Sequence, residues 1–232
     1  MTSEVVFFLD VDNTLLDNDR VIADLRLHLE QELGVASSDR YWLIFEKLRD
    51  ELGYADYLGA LQRYRAEMEQ RGAGDRRLLL MSSFLVDYPF ADRLYPDALE
   101  VVARLGQLGP TVILSDGDVV FQPRKVQRSG LWEAVGGRVL IYIHKEKMLE
   151  HVQRLYPARR YVMVDDKLRI LAAMKDVMGD RLVTVFPRQG HYAHDADAIA
   201  TCPAADVTVE RIGDLLVIDA GKLLGFATKE KS

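Results

Sequence analysis

Val5-Val6-Phe7-Phe8-Leu9-Asp10-Val11-Asp12-Asn13-Thr14-Leu15 decides both the fold and the chemistry of this chain. Its first half is rich in β-branched and aromatic residues and carries no charge, the pattern of a strand buried on both faces. Two carboxylates two residues apart then stand where that strand meets a loop. In an open parallel sheet, ligands bind beyond the carboxyl ends of the strands, and Asp10 falls at such an edge. Asp12 can point the same way if the backbone stays extended. Two carboxylates this close repel, so either one keeps a proton or a cation neutralises the pair. An ionised Asp can act as a nucleophile and a protonated one as a general acid. Asp-Asn-Thr is also ordinary turn chemistry, so residues further along the chain must decide between a site and a turn.

Downstream, the same pattern of apolar strand and polar tip recurs. Thr111-Val112-Ile113-Leu114 runs into Ser115-Asp116-Gly117-Asp118, where a hydroxyl and nearby backbone N–H groups suit phosphate oxygens. Val139-Leu140-Ile141-Tyr142-Ile143 precedes His144-Lys145-Glu146-Lys147, which opens a helix with Met148, Leu149, Val152 and Leu155 on one face. A lysine near a helix start adds its charge to the positive end of the dipole, and both favour an anion. Lys145 fits that place best and Lys147 is the alternative. Tyr161-Val162-Met163-Val164 leads into Asp165-Asp166, a pair of hard oxygen ligands suited to Mg2+.

In this order the four segments resemble motifs I to IV of the haloacid dehalogenase-like superfamily, beginning with Asp-x-Asp-x-Thr-Leu/Val at Asp10–Leu15. The resemblance implies that Asp10 is a nucleophile that becomes an aspartyl-phosphate. It makes Asp12 the acid/base and Thr14 a support for the loop. It puts Ser115 and Asp116 in the phosphate-binding segment, Lys145 on the phosphate and nucleophile, and Mg2+ on Asp10, Asp12 (through its backbone carbonyl), Asp165 and Asp166. Phe121-Gln122-Pro123-Arg124-Lys125 and Ser129-Gly130-Leu131 look like the segment that comes after motif II in phosphatase relatives. An Asp at the second position of motif I is usual in phosphatases and phosphomutases and usually missing from dehalogenases. Motif IV departs from the commoner pattern: Val164 replaces a Gly, and Lys167 and Arg169 occupy the region of a later acid.

The rest of the chain sets the architecture. Between about Asp17 and Tyr95 the strand-like runs disappear. Ile22, Leu25, Leu29 and Leu33 recur at helical spacing, and Gly34, Gly53 and Arg71-Gly72-Ala73-Gly74 punctuate the pattern. Further helices are expected over Arg40–Leu52, Tyr54–Arg71 and Arg76–Tyr88. Pro96 starts another, with Leu99, Val102 and Leu105 inward. Strands and helices then alternate to the end, the mark of a parallel α/β sheet. The expected fold is α/β: a Rossmann-like doubly wound parallel sheet (1–16 and 96–232) with a small α-helical cap (17–95). A cap in that place can close over the site and exclude water. Arg40, Tyr41, Trp42, Arg49, Tyr54, Tyr57, Arg63, Tyr64 and Arg65 are candidates for substrate contact, although cap packing and solvation account for most of them.

Composition narrows the class. Hydrophobic residues make up 49% of 232, enough for a sizeable core, and the net charge of −6 argues against nucleic acid as the main partner. One cysteine, Cys202, allows no internal disulfide and reads as a buried inert thiol. No apolar run approaches the ~20 residues that cross a bilayer, and Glu4 and Asp10 come too early for a signal peptide. A cytoplasmic setting is expected; the oligomeric state is open. His191, His194, Asp195 and Asp197 suggest zinc ligands, but without a helix to align the histidines a polar loop is the better reading. Arg188 and His191 come after a strand-like run and so stand near the site edge, whereas Trp132 reads as packing. The Lys-Glu-Lys-Ser tail reads as frayed.

The resulting expectation is a Mg2+-dependent phosphatase for a small phosphorylated metabolite. A phosphomutase of the same fold and a non-catalytic binding or regulatory protein are the alternatives.

Overall fold

Val5, Phe7 and Leu9 face one side of the sheet and Val6 and Phe8 the other, and all five are buried. This two-faced burial is what a charge-free strand at the centre of a parallel sheet requires. A computed structural model describes residues 2–70 and 77–224. Six parallel strands form one sheet: β1 (Ser3–Leu9), β2 (Thr111–Asp116), β3 (Val139–Tyr142), β4 (Ala158–Val164), β5 (Leu182–Pro187) and β6 (Val207–Val209), in the order β3-β2-β1-β4-β5-β6. The chain winds outward from β1 in one direction and then, from β4, in the other. The switch therefore lies at the carboxyl end of β1, beside Asp10, where such sheets hold ligands. This is the expected α/β, Rossmann-like fold.

The first four helices described after β1 are α1 (Asn18–Leu33), α2 (Val35–Leu52), α3 (Tyr57–Gln70) and α4 (Arg77–Asp87). The punctuating segment 71–74 and the expected start at Arg76 lie outside the described residues, as does the Lys-Glu-Lys-Ser tail. Helix α1 buries Val21, Leu25, Leu29 and Leu33, one residue per turn. Asp17 caps it by accepting from the Arg20 N–H at 2.9 Å. Helix α2 starts five residues earlier than the sequence suggests, directly after Gly34, and ends at Gly53 in the left-handed conformation.

The remaining helices are α5 (Ala98–Leu108), α6 (Phe121–Arg128), α7 (Leu131–Ala134), α8 (Leu149–Leu155), α9 (Leu168–Met178), α10 (Ala196–Thr201) and α11 (Ala220–Leu223). Residues of α5 and α6 pack on the Phe7 face, and those of α8 and α9 on the Phe8 face. Some register expectations need correction. Helix α5 begins after Asp97, not at Pro96, and buries Ala98, Val101, Val102 and Leu105, which leaves Leu99 at 38% exposure. Leu155 ends α8 and is exposed, because the chain leaves the packed face there. Cys202 is half-buried against the Phe8-side core rather than enclosed. Trp132 packs against the Phe7-side core, as a packing residue should. Among the described residues no helix is long and apolar enough to cross a membrane.

Candidate active site

The loop after β1 is folded tightly around one carbonyl: the N–H groups of Thr14, Leu15 and Leu16 all donate to Val11 O at 2.9–3.3 Å. Asn13 sits at φ 59°, a left-handed conformation that asparagine tolerates better than most residues. Its Oδ1 accepts from the N–H groups of Asn18 and Asp19 at 3.0 and 3.1 Å, so it also caps α1. Thr14 Oγ1 accepts from the Asp166 N–H at 3.0 Å and ties this loop to the tip of β4. Behind the loop, Gly190 sits at φ +68°, where a Cβ would lie 2.4 Å from Asn13 Cβ. Gly190→Ala should therefore cost about 2–5 kcal/mol, by adding left-handed strain of ~1–2 to overpacking of ~1–3 kcal/mol. Gly130→Ala, at φ +82° with open space around it, should cost only the first part. Urea denaturation of both variants checks the difference.

Four strand tips converge on Asp10. Its own N–H donates to Val164 O at 3.0 Å, and its side chain is buried. Ser115, at the end of β2, donates to Asp10 Oδ1 at 3.2 Å. Lys145 Nζ, beyond β3, donates to the same oxygen at 2.5 Å and to Leu114 O at 3.2 Å. The ammonium also lies 2.7 Å from Asp165 Oδ2, an ion pair without the alignment of a hydrogen bond. Lys147 is exposed and takes no part in these contacts. The reason for Lys145 differs from the one the sequence suggests. Lys145–Lys147 form a separate 3-10 turn ahead of α8, so contact geometry and not a helix start places the charge.

Asp165 and Asp166, at the tip of β4, complete the cluster. Oxygens of Asp10, Asp165 and Asp166 lie within 4.8 Å of one another, the one potential metal-binding group among the described residues. Asp10 Oδ2 and both carboxylate oxygens of Asp166 are buried without a hydrogen-bond donor. The Asp12 carboxylate stands apart from them. It accepts from Lys125 Nζ at 2.6 Å and from Gln122 Nε2 at 3.4 Å. Lys125 is fully buried and also donates to Asn18 Oδ1 at 2.9 Å, while Gln122 donates to Ser115 Oγ at 3.1 Å. Neither residue stands out in the sequence as a site residue. Their three-residue spacing on α6, inside the segment after motif II, is the signal that places both on one helical face. The Asp116 side chain accepts from the Lys145 N–H at 2.7 Å and so fixes the lysine turn.

A haloacid dehalogenase-like hydrolase family profile matches residues 5–177, which span these tips. The chain belongs to the haloacid dehalogenase-like hydrolases. It is 68% identical to a protein from Burkholderia xenovorans LB400 assigned as such a hydrolase, with a TM-score of 0.89 over 96% of this chain and 99% of that one. Two more distant structures share the fold. One is a magnesium-bound HAD-hydrolase from Bacillus subtilis (16% identity, TM-score 0.58, 93% and 97% covered). The other is an L-2-haloacid dehalogenase from Xanthobacter autotrophicus (21%, 0.54, 93% and 97%). No functionally curated protein matches the chain.

Electrostatics in this hydrolase are set by burial. Loss of water pushes the Asp166 carboxyl well above the usual carboxylate range; the Lys167 ammonium opposes this, and the Asp165 and Asp10 charges add to it. Asp165 is raised for the same first reason, with Lys145 opposing. Burial alone would lower the Lys145 ammonium, but Asp10, Asp165 and Asp116 outweigh it and hold it protonated. Three carboxylates against one contacting ammonium leave an excess of negative charge. At ~4 Å and an effective dielectric of about 20, each like-charge pair costs about 4 kcal/mol. A divalent cation relieves that cost, so this oxygen set fits Mg2+.

Asp116 titrates at about 6, raised chiefly by burial against the opposing pull of Lys145. The folded state thus binds its proton more tightly than the unfolded chain does. Stability in EDTA should rise as pH falls from above 6 towards 4, and Asp116→Asn should flatten the rise. Thermal melts across that window check this.

A cavity of about 830 Å³ opens beside Asp12, between the helical segment and the strand tips. Trp42, Arg49, Tyr54 and Tyr57, four of the expected substrate-contact candidates, line it. Tyr41 and Tyr64 are buried in helix packing, and Arg40, Arg63 and Arg65 pair with Glu67, Glu51 and Glu69. His191 reaches the cavity and bonds to Asp19 through its backbone N–H at 2.8 Å and its Nδ1 at 2.6 Å. It joins the loop after β5 to α1 rather than forming a metal group with His194. Asp195 caps α10, and Arg188 pairs with Glu210 at the surface.

Proposed function

We propose that this hydrolase is a Mg2+-dependent phosphatase acting on a small phosphorylated metabolite through an aspartyl-phosphate on Asp10. The observation that carries the reading is the buried Asp10–Asp165–Asp166 cluster, in which Asp10 Oδ2 and both Asp166 oxygens have no hydrogen-bond donor. Asp10, Asp165 and Asp166, with the Asp12 carbonyl, would hold the ion. When bound, the ion offsets phosphate charge and draws the phosphoryl oxygens towards Asp10.

The chain's own residues supply the rest. Ser115 and Lys145 fix Asp10 through one oxygen, Oδ1, and leave Oδ2 without a donor. Asp10 attacks phosphorus as the ester P–O bond breaks. Asp12, in the cavity wall and oriented by Lys125 and Gln122, protonates the departing alcohol oxygen. Asp12 then takes a proton from water, which opens the acyl phosphate and releases inorganic phosphate. Lys145 neutralises the charge that gathers on the equatorial oxygens. Residues 17–95 act as a cap that roofs the cavity, and the cavity volume suits a small molecule rather than a protein substrate.

Asp12 also favours phosphoryl transfer over dehalogenation, because breaking a carbon–halogen bond needs no acid on the leaving group. The expected result is phosphate release from a phosphoester panel with MgCl2 and none with EDTA. Chloride release from 2-chloropropionate without phosphatase activity would reverse the assignment. At about 100 times its dissociation constant, Mg2+ should stabilise the protein by about 2.7 kcal/mol, a rise of roughly 5–10 °C in Tm. Asp166→Asn should lose most of that rise, and an unchanged Mg2+ titration by scanning fluorimetry would remove Asp166 from the ion.

A further inference from the structure

The cavity beside Asp12 carries charges that the phosphoryl chemistry does not use. Most of its acidic groups are already matched: Asp12 by Lys125, Asp19 by Asn13 and His191, and Glu46 by Arg49 at 2.6 Å. Asp116 is bound to the Lys145 N–H, which leaves Asp50, exposed at the rim, as the acid without a partner among the described residues. The cations are matched less well. Lys167 lines the cavity; the Asp166, Asp10 and Asp165 charges act on its ammonium through space, but among the described residues it has no carboxylate within ion-pair distance and no acceptor, and the Tyr192 ring lies at 4.8 Å. Arg169, two residues on, lines the same cavity and has neither an ion pair nor a hydrogen bond among the described residues. Arg26 lies over the Trp42 ring at 4.9 Å and reaches Asp39 only at 3.8 Å.

The uncommitted charge of the cavity is therefore positive, and it lies on the side where α9 begins, next to Asp165 and Asp166. Lys167 offsets part of the aspartate cluster's charge yet still faces the cavity, while Arg169 faces it with no counter-charge among the described residues. The phosphoryl group already has Ser115 and Lys145. We propose that Lys167 and Arg169 bind a second anionic group, a carboxylate or phosphate, on the leaving portion of the substrate. Lys167 supplies a point charge, and Arg169 a planar fork that matches either oxyanion. The aromatic wall of Trp42, Phe45, Tyr54 and Tyr57 would cover the carbon skeleton between the two anions. The substrate class is then a small phosphomonoester with a second acidic group. This inference rests on the phosphatase reading above.

A matched series tests it: propyl phosphate, carboxyalkyl phosphates with two to four methylenes, and propane-1,3-diyl bisphosphate, assayed with the whole protein and Mg2+ for phosphate release. At least one doubly anionic compound should exceed propyl phosphate by tenfold or more in kcat/KM, with the carboxylate and bisphosphate arms deciding which oxyanion is read. In Lys167→Met and in Arg169→Met that ratio should fall towards one, chiefly through KM, and Lys167→Arg should retain much of it. Release from propyl phosphate with no preference would overturn this inference and leave the phosphatase reading intact. An equal loss on every substrate in both variants would also overturn it, since the two residues would then act on the common phosphoryl group. No release from any member would end both readings. The wild-type ratio decides the matter even if Lys167→Met fails to fold.

Discussion

Asp10→Asn should release no phosphate above background, a loss on the order of 10⁴-fold or more in kcat, while the protein remains folded. The size of the effect comes from the role: removing a nucleophile leaves only binding and electrostatic stabilisation, and losses of that order are typical. The fold should survive for a geometric reason. The carboxamide oxygen can still accept from Ser115, and Lys145 keeps its ion pair with Asp165. Taking one charge out of a crowded buried cluster also relieves repulsion. Single-turnover phosphate release, with circular dichroism as the control for folding, measures both parts. Turnover within tenfold of wild type would exclude an aspartyl-phosphate on Asp10.

Lys145→Met should be the most damaging of these changes to stability and should also lower activity. The methionine fills a similar volume but removes the ammonium that lies 2.5 Å from Asp10 and 2.7 Å from Asp165. Both carboxylates are buried, and leaving such charges unpaired costs about 3–5 kcal/mol. For a chain of this size that is a fall of roughly 6–20 °C in Tm. Activity should drop on the order of 10³-fold, because the charge beside the reacting group is lost. Mg2+ should restore more stability to this variant than it adds to wild type, since the ion then becomes the main positive charge in the cluster. Lys147→Met, at an exposed position two residues away, should change neither quantity. Equal effects of the two substitutions would show that the buried contact of Lys145 is not what matters.

Much of this architecture is legible in local sequence. Val5–Leu9 announces a strand buried on both faces because it offers no polar residue to a solvated side. Ser115, Lys145 and Asp165 each come after an apolar run, and in a parallel sheet such residues must gather at one edge. The helical segment is legible from Leu25, Leu29 and Leu33, which recur at the helical repeat. Boundaries are less clear. The true start of α2 is hidden because Val35-Ala36-Ser37-Ser38 carries little periodicity, and Leu99 turns outward because Asp97, not Pro96, sets the start of α5.

The sequence alone determined the order of strands and polar tips, and with it a family of sheet and a list of candidate side chains, because hydrophobic periodicity and turn chemistry act over a few residues. Only the tertiary structure put Lys145 rather than Lys147 against Asp10, matched Lys125 to Asp12 across more than a hundred residues, and set Lys167 and Arg169 in the cavity wall. Those outcomes depend on burial and on which charges meet through space, and neither quantity exists until distant segments have packed.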